Sequence, residues 1–206
     1  MKSQVGLRGH RVQNMKRAES RRRDILVAAA RVFARDGYVS ATLDDVGREV
    51  GVTKGVIYYY FRSKEEIYTE IRATAIREAI DRLEAIVAHG APSGDTLRVA
   101  IGDLIGHVFN ELDRFANVLR ADGRLSAESR ALIRDLQRHY ERLMRGIVEA
   151  GIREGVLADR DPTVMTYTIL RTCLSVADWY RPGGRLSPEL VVEQVTEQVL
   201  AGVLRE

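Results

Sequence analysis

One cysteine in the whole chain, Cys173, rules out an internal disulfide and fits a reducing compartment. It lies within an apolar helical stripe and reads as a small core residue. Four prolines leave long stretches without a helix breaker. No run approaches the roughly 18 apolar residues needed to cross a bilayer. The basic start has no apolar segment behind it, so it is no secretory signal, and a cytoplasmic location is expected. The four histidines, His10, His89, His107 and His139, are isolated and match no metal-ligand spacing. His107 and His139 have two readings, as pocket lining or as surface and structural residues. The chain has no G-x-S-x-G elbow, no G-x-x-x-x-G-K-[ST] loop and no H-E-x-x-H. Enzyme activity is therefore not expected, nor a metal or a cofactor.

What is present is charge and helical periodicity. The 206 residues are 45% hydrophobic and 30% charged, with a net charge of +3, enough chain for one or two domains with a sizeable core. The charge is unevenly spread. From Lys2 to Arg23 the bases are Lys2, Arg8, Arg11, Lys16, Arg17, Arg21, Arg22 and Arg23, against Glu19 alone. Such a segment suits a polyanion, or stands as a solvated leader. Met15 is an equally good start, which would place residues 1–14 outside the native protein. Residues 1–20 are read as a flexible basic arm.

The centre of the chain's organisation is Thr42 to Lys64, T-L-D-D-V-G-R-E-V-G-V-T-K-G-V-I-Y-Y-Y-F-R-S-K. Thr42 caps a helix with Asp45 three residues on, as in a capping box. Leu43, Val46 and Val50 follow at helical spacing. Gly51 breaks that helix, Val52 plugs the turn, and Thr53 is the N-cap of a second short helix. Two short helices joined by a tight turn make a helix-turn-helix, whose second helix can enter the DNA major groove. Val52, Ile57 and Phe61 are expected to face inward. Lys54, Gly55, Val56, Tyr58 and Tyr59 are left outside. Gly55 costs about 1 kcal/mol of helix stability relative to Ala, which suits a helix that must approach base edges closely. Tyr58, Tyr59 and Lys64 offer donors to phosphate oxygens. The competing reading packs these aromatics as ordinary core.

The pattern T-x-x-D-V-x-x-x-V-G-V-T-K-G-x-I-Y-Y-Y-F-x-S-K-E-E resembles the DNA-binding signature of TetR-family transcriptional regulators, over roughly Arg21 to Tyr68. The resemblance implies an all-helical homodimer that binds a palindromic operator, represses transcription and leaves the DNA on binding a small ligand. It also implies base or phosphate contacts at Thr42, Thr53, Lys54, Gly55, Val56, Tyr58, Tyr59 and Lys64. Tyr60 departs from the pattern, since many relatives carry His there.

The remaining segments are all helical in period, with no alternation long enough for strands. Ile25, Ala28, Ala29, Val32 and Phe33 mark a first helix from Arg21 to the stop at Gly37, presenting Arg21 to Arg23 towards DNA. Ser63 and Glu66 make a second capping box and open a helix to about His89. Gly90 to Gly94 reads as a loop. Helices are expected from Thr96 to about Asn117, briefly over Val118 to Ala121, and from Ser126 to Gly151 or Gly155, the last with Leu132, Ile133, Leu136, Tyr140, Leu143, Ile147 and Val148 inward. Asp161-Pro162 and Ser187-Pro188 are strong start signals for two more, ending near Tyr180 and Leu204. The fold class is all-α with about nine helices. Residues 21–68 form the helix-turn-helix domain and 69–206 a ligand-binding and dimerisation domain. Met165, Ile169, Cys173 and Val176 make one stripe, and Val191, Val195, Val199 and Val203 another. Both suit pairing with a second subunit as a four-helix bundle, or burial in the chain's own core.

Trp179 to Pro188, W-Y-R-P-G-G-R-L-S-P, taken with L-R-A-D-G-R-L-S-A-E-S-R and Y-E-R-L-M-R-G-I-V-E-A-G-I-R-E-G-V-L, resembles the branch of TetR regulators controlling fatty-acid and steroid catabolism. That resemblance implies an acyl-CoA inducer. Such a ligand needs an apolar channel and cations for phosphate. Phe109, Leu112, Tyr140, Leu143 and Met144 can supply the first, and Arg120, Arg124 and Arg145 the second. Each has an alternative as core or solvated surface. A second function also stands: a helical binding or scaffold protein with an unregulated DNA-binding module.

Overall fold

The computed structural model describes the backbone of residues 5–115 and 125–205, and side chains of 15–109 and 125–205. Among the described residues there are eight helices and no strand: α1 (Val5–Asp36), α2 (Leu43–Val50), α3 (Lys54–Tyr60), α4 (Lys64–Ala88), α5 (Ser93–Phe115), α6 (Ala127–Arg153), α7 (Pro162–Trp179) and α8 (Pro188–Val203). The short helix expected over 118–121 lies outside the described residues. None of the described helices is long and apolar enough to cross a membrane.

Local chemistry accounts for most boundaries. Thr42 and Asp45 close the capping box of α2, the Asp45 amide donating to the Thr42 hydroxyl at 3.2 Å and the Thr42 amide to Asp45 at 2.8 Å. Gly51 ends α2 with φ 72°, a left-handed value that favours glycine. Asp161 accepts from the Thr163 and Val164 amides at 2.8 and 3.0 Å to start α7. Two boundaries differ from the sequence pattern. α1 begins at Val5 rather than Arg21, because no proline interrupts the segment. α5 begins at Ser93, so the loop shrinks to Gly90–Pro92, with the Thr96 amide donating to the Pro92 carbonyl at 2.9 Å.

The chain divides into two compact units, one reaching to Ile71 and including described residues up to Ser129, the other taking Arg72–Ala116 and Arg130–Glu206. In the first, Ile25, Val32 and Phe33 of α1 are buried, as are Leu43 and Val46 of α2, Ile57 of α3, and Phe61, Ile67 and Tyr68. Tyr38 packs edge-on against Phe33 and tilts onto Tyr68, with ring centroids 5.5 and 4.6 Å apart. This aromatic cluster joins the end of α1 to α4.

The second unit has one continuous apolar core drawn from Ala79, Ile80 and Leu83 and from α5 to α8. Met165, Ile169, Cys173, Val176, Val191, Val199 and Val203 are all buried in it, and Val195 packs against it. The stripes expected to meet a second subunit are thus consumed by the chain's own core, the alternative that periodicity alone leaves open. The expectation that Leu132 faces inward also fails, since it is 39% exposed near the start of α6 while its neighbour Ile133 is buried. The C-terminus is tied down by a bridge pairing Leu157 with Leu204, the Ala158 amide donating to the Val203 carbonyl at 2.9 Å.

Candidate nucleic-acid interface

α3 is a helix of seven residues with a single buried side chain, Ile57. Every other side chain on it except the half-buried Tyr60 is exposed: Lys54, Val56, Tyr58 and Tyr59, the last 81% exposed. Thr42 and Thr53, at the starts of α2 and α3, are exposed as well. A short helix held by one isoleucine gains little from its own hydrogen bonds. Its position depends on how it is seated, and the seat is tight. A methyl added to Gly47 would lie 2.7 Å from the Val52 carbonyl oxygen, so only glycine lets the turn close onto α2.

Gly55 is a different case. A methyl there would meet nothing closer than the Thr53 hydroxyl, at 3.8 Å. Packing within the protein therefore does not require glycine at this position, and the helix gives up about 1 kcal/mol for it. Thr53 holds the N-cap position, but its side chain makes no cap bond, so its hydroxyl is not spent on the helix.

The cations around this face behave unequally. The Lys54 ammonium donates to Asp44 of α2 at 2.9 Å, which raises its pKa. Lys64, expected to reach phosphate, is engaged elsewhere. Its ammonium donates to the carbonyls of Tyr38, Val39 and Ala41 at 2.6, 3.2 and 2.8 Å and sits 4.7 Å from the Tyr38 ring centroid. It closes the turn between α1 and α2 onto α4. Arg22 is turned inward too, pairing with Glu70 and lying over the Phe61 ring at 4.6 Å. Arg21 and Arg23 remain exposed. Asp44 is the participant that sequence reasoning misses, because an acid in the first turn of α2 carries only a helix-start signal.

The residues expected to hold a ligand lie in the second unit, apart from Arg120 and Arg124, which fall outside the described residues. The backbone of Leu112 lies in α5, but its side chain is outside them also. Phe109, Tyr140 and Met144 share the buried core, and Leu143 packs against it. Phe109 meets Tyr180 edge-on at 4.7 Å. Arg145 is half-buried. Burial pushes the Cys173 thiol up to about 12, so it is an inert core residue. Among the described residues no group of His, Cys, Asp and Glu could hold a metal.

Sequence reasoning also misses Arg82 and Asp103, joined by bonds from Arg82 Nε to both carboxylate oxygens at 3.0 and 3.2 Å. Asp103 has a readable signal, an acid set within the apolar run V-A-I-G-D-L-I-G. Arg82 has none.

Two family models match the chain, one described as bacterial regulatory proteins of the tetR family over residues 25–71, the other as a tetracyclin repressor-like C-terminal domain over residues 90–203. The HTH-type transcriptional repressor KstR2 of Rhodococcus jostii (strain RHA1) is 28% identical over 185 residues, 89% of this chain and 91% of its own. A crystal structure of a TetR/AcrR-family regulator from Thermobifida fusca is 34% identical with a TM-score of 0.75, covering 89% of this chain and 98% of that one. FadR from Bacillus subtilis, crystallised with stearoyl-CoA, shares the fold at 24% identity and a TM-score of 0.72, over 87% of this chain and 97% of its own.

Proposed function

The chain belongs to the TetR family of bacterial regulatory proteins, and on that premise we propose that it is a repressor whose homodimer binds a palindromic operator and is released by an acyl-CoA. The observation that carries the DNA-binding part is the exposed face of α3, where Lys54, Gly55, Val56, Tyr58 and Tyr59 stand out around the single buried Ile57. Thr42 and Thr53 add hydroxyls at its edge. Lys54 is the base-reading candidate and exchanges Asp44 for a base edge, while the tyrosine hydroxyls take phosphate oxygens. Lys64 acts indirectly, by holding the turn at Tyr38 to Ala41 in place.

One helix this short makes too few contacts for tight specific binding. Two copies spaced about one DNA turn apart, ~34 Å, read an inverted repeat. The residues available for that pairing are those the monomer core leaves out. On α7 and α8 these are Val164, Tyr167, Leu174, Trp179 and Leu190, all exposed. Leu174→Glu should therefore yield monomers in sedimentation and abolish operator binding.

The acyl-CoA reading is supported by the fatty-acyl ligand of the FadR relative and by the apolar cluster around Phe109, Tyr140, Leu143 and Met144. Release requires the ligand to favour the DNA-incompetent state, and a 100-fold loss of operator affinity corresponds to about 2.7 kcal/mol of coupling. The test is selection from random duplexes at moderate salt, followed by titration of the selected complex with acyl-CoAs of graded length. An inverted repeat should emerge, and a long-chain thioester should dissociate it. Absence of any common repeat would overturn the proposal. A repeat indifferent to every thioester would leave an unregulated DNA-binding protein.

A further inference from the structure

Three side-chain polar atoms among the described residues of the second unit are sealed from solvent without a partner: the hydroxyl of Tyr140 on α6, Nη2 of Arg82 on α4 and the hydroxyl of Thr196 on α8. Tyr140 as a whole is only 8% exposed. A buried hydrogen-bonding group left unpaired is destabilising, and the first two of these call for an explanation. Both are donors to an acceptor, and both belong to the same neighbourhood. Arg82 is fixed by Asp103 of α5 through Nε, while its Nη2 has no hydrogen-bond partner. The Tyr140 hydroxyl feels the charges of Asp103 and of Arg82. Burial raises its pKa, so it stays a neutral O–H donor throughout the physiological range.

Gly106 lies one helical turn beyond Asp103, on the same side of α5. It is half-buried, yet a methyl placed there would meet no described atom within 4 Å. The neighbourhood of Tyr140 is apolar, since Leu104, Met144 and Cys173 are buried members of the same cluster.

We propose that the Tyr140 hydroxyl and Arg82 Nη2 together bind one carbonyl oxygen of an otherwise apolar ligand, with Asp103 as the residue that positions Arg82. The inference rests on the ligand-responsive reading above and specifies its chemistry. The ligand is a neutral carbonyl compound, a thioester or a ketone, rather than a free acid. Arg82 is already neutralised by Asp103, so a carboxylate entering the site would meet the Asp103 charge without an unspent cation to offset it. A neutral carbonyl accepts both donors and leaves that balance untouched.

The test uses the full-length protein and three probes: palmitoyl-CoA, palmitate and the steroid ketone androstenedione, each titrated by calorimetry against wild type, Tyr140→Phe and Arg82→Met. At least one carbonyl probe should bind wild type at least tenfold more tightly than palmitate. Tyr140→Phe should weaken that probe at least tenfold and leave the thermal midpoint of the unliganded protein unchanged or raised, since the hydroxyl has no partner to lose. Tighter binding of palmitate than of both carbonyl probes would overturn the inference. So would equal binding of the carbonyl probe by wild type and both variants. A Tyr140→Phe protein that is destabilised but binds normally would mark the hydroxyl as structural and overturn it too. If the ketone alone binds, the carbonyl anchor stands and the acyl-CoA reading fails. If palmitoyl-CoA binds with no dependence on Tyr140 or Arg82, the reverse holds.

Discussion

Lys54 and Tyr59 of the first unit stand in solvent, whereas the Tyr140 hydroxyl and Arg82 Nη2 of the second are sealed away from it. Both sets are donors, but they reveal a partner in opposite ways. In the first unit the signal is a polar face on a helix whose glycine the protein does not need. In the second it is a deficit, groups that the fold has dried without satisfying. An outward face points to a macromolecule, on the proposed reading a duplex whose phosphates take hydroxyls and cations. An inward deficit points to a ligand small enough to enter the core.

Substitutions at two glycines break this comparison most sharply. Gly47→Ala forces its methyl against the Val52 carbonyl backbone, and overpacking of this kind costs roughly 1–3 kcal/mol. It should lower the thermal midpoint and release α3 from its seat, with loss of operator binding. Gly55→Ala meets open space and should raise helix stability by up to about 1 kcal/mol. Its operator affinity should nonetheless fall, because the methyl occupies the surface proposed to face DNA. Melting curves and fluorescence anisotropy on both variants check this. A Gly55→Ala protein that binds as well as wild type would show that the approach there is not close.

The lysines give the next largest effect. Lys64→Ala removes a cation bound to three carbonyls, and hydrogen bonds of a charged donor are worth about 1.5–3 kcal/mol. Partial exposure puts the expected destabilisation at the lower end of that range. Lys54→Ala removes an exposed pair with Asp44, of a kind worth at most about 1 kcal/mol to folding. Its operator affinity should drop by about 1–3 kcal/mol, with relaxed preference at one base position. An equal loss on all sequences would make Lys54 a phosphate contact instead.

These pairs also mark what the sequence can and cannot disclose. The Thr42–Asp45 box and the left-handed Gly51 are set within four or five residues, so residue types and spacing alone specify their geometry. The division between Ile57 and the exposed residues of α3 is legible for the same reason, since helical period fixes which side chains share a face. Lys64 is misjudged because its partners lie 23 to 26 positions away in the chain. A lysine beside a helix-turn-helix looks the same whether it meets a carbonyl or a phosphate. The α7 and α8 stripes fail differently. Periodicity identifies an apolar face but not whose core it enters, and here the chain's own core takes it. Arg82 is invisible because pairing between α4 and α5 depends on how helices cross.

The smallest expected effect concerns acid, and it compares one clasp in each unit. Asp45 is held below its ordinary pKa chiefly by the Thr42 hydroxyl, and Glu154 by the Ser93 hydroxyl, which donates to it at 2.5 Å. A carboxylate whose folded pKa is depressed contributes its full stability above the unfolded value, about 3.9 for Asp and 4.3 for Glu. That contribution is lost as pH falls through the lower, folded value. Thermal midpoints should therefore hold between pH 7 and 5 on account of these two groups and decline only below about 4.3. Asp45→Asn and Glu154→Gln should each start lower and show a shallower decline between pH 5 and 3. The Ser93–Glu154 clasp ties α5 to the end of α6, whereas the Thr42–Asp45 box is internal to α2, so Glu154→Gln should move the midpoint more. A wild-type decline already complete by pH 5 would exclude both clasps as its cause, since neither carboxylate takes up its proton that early.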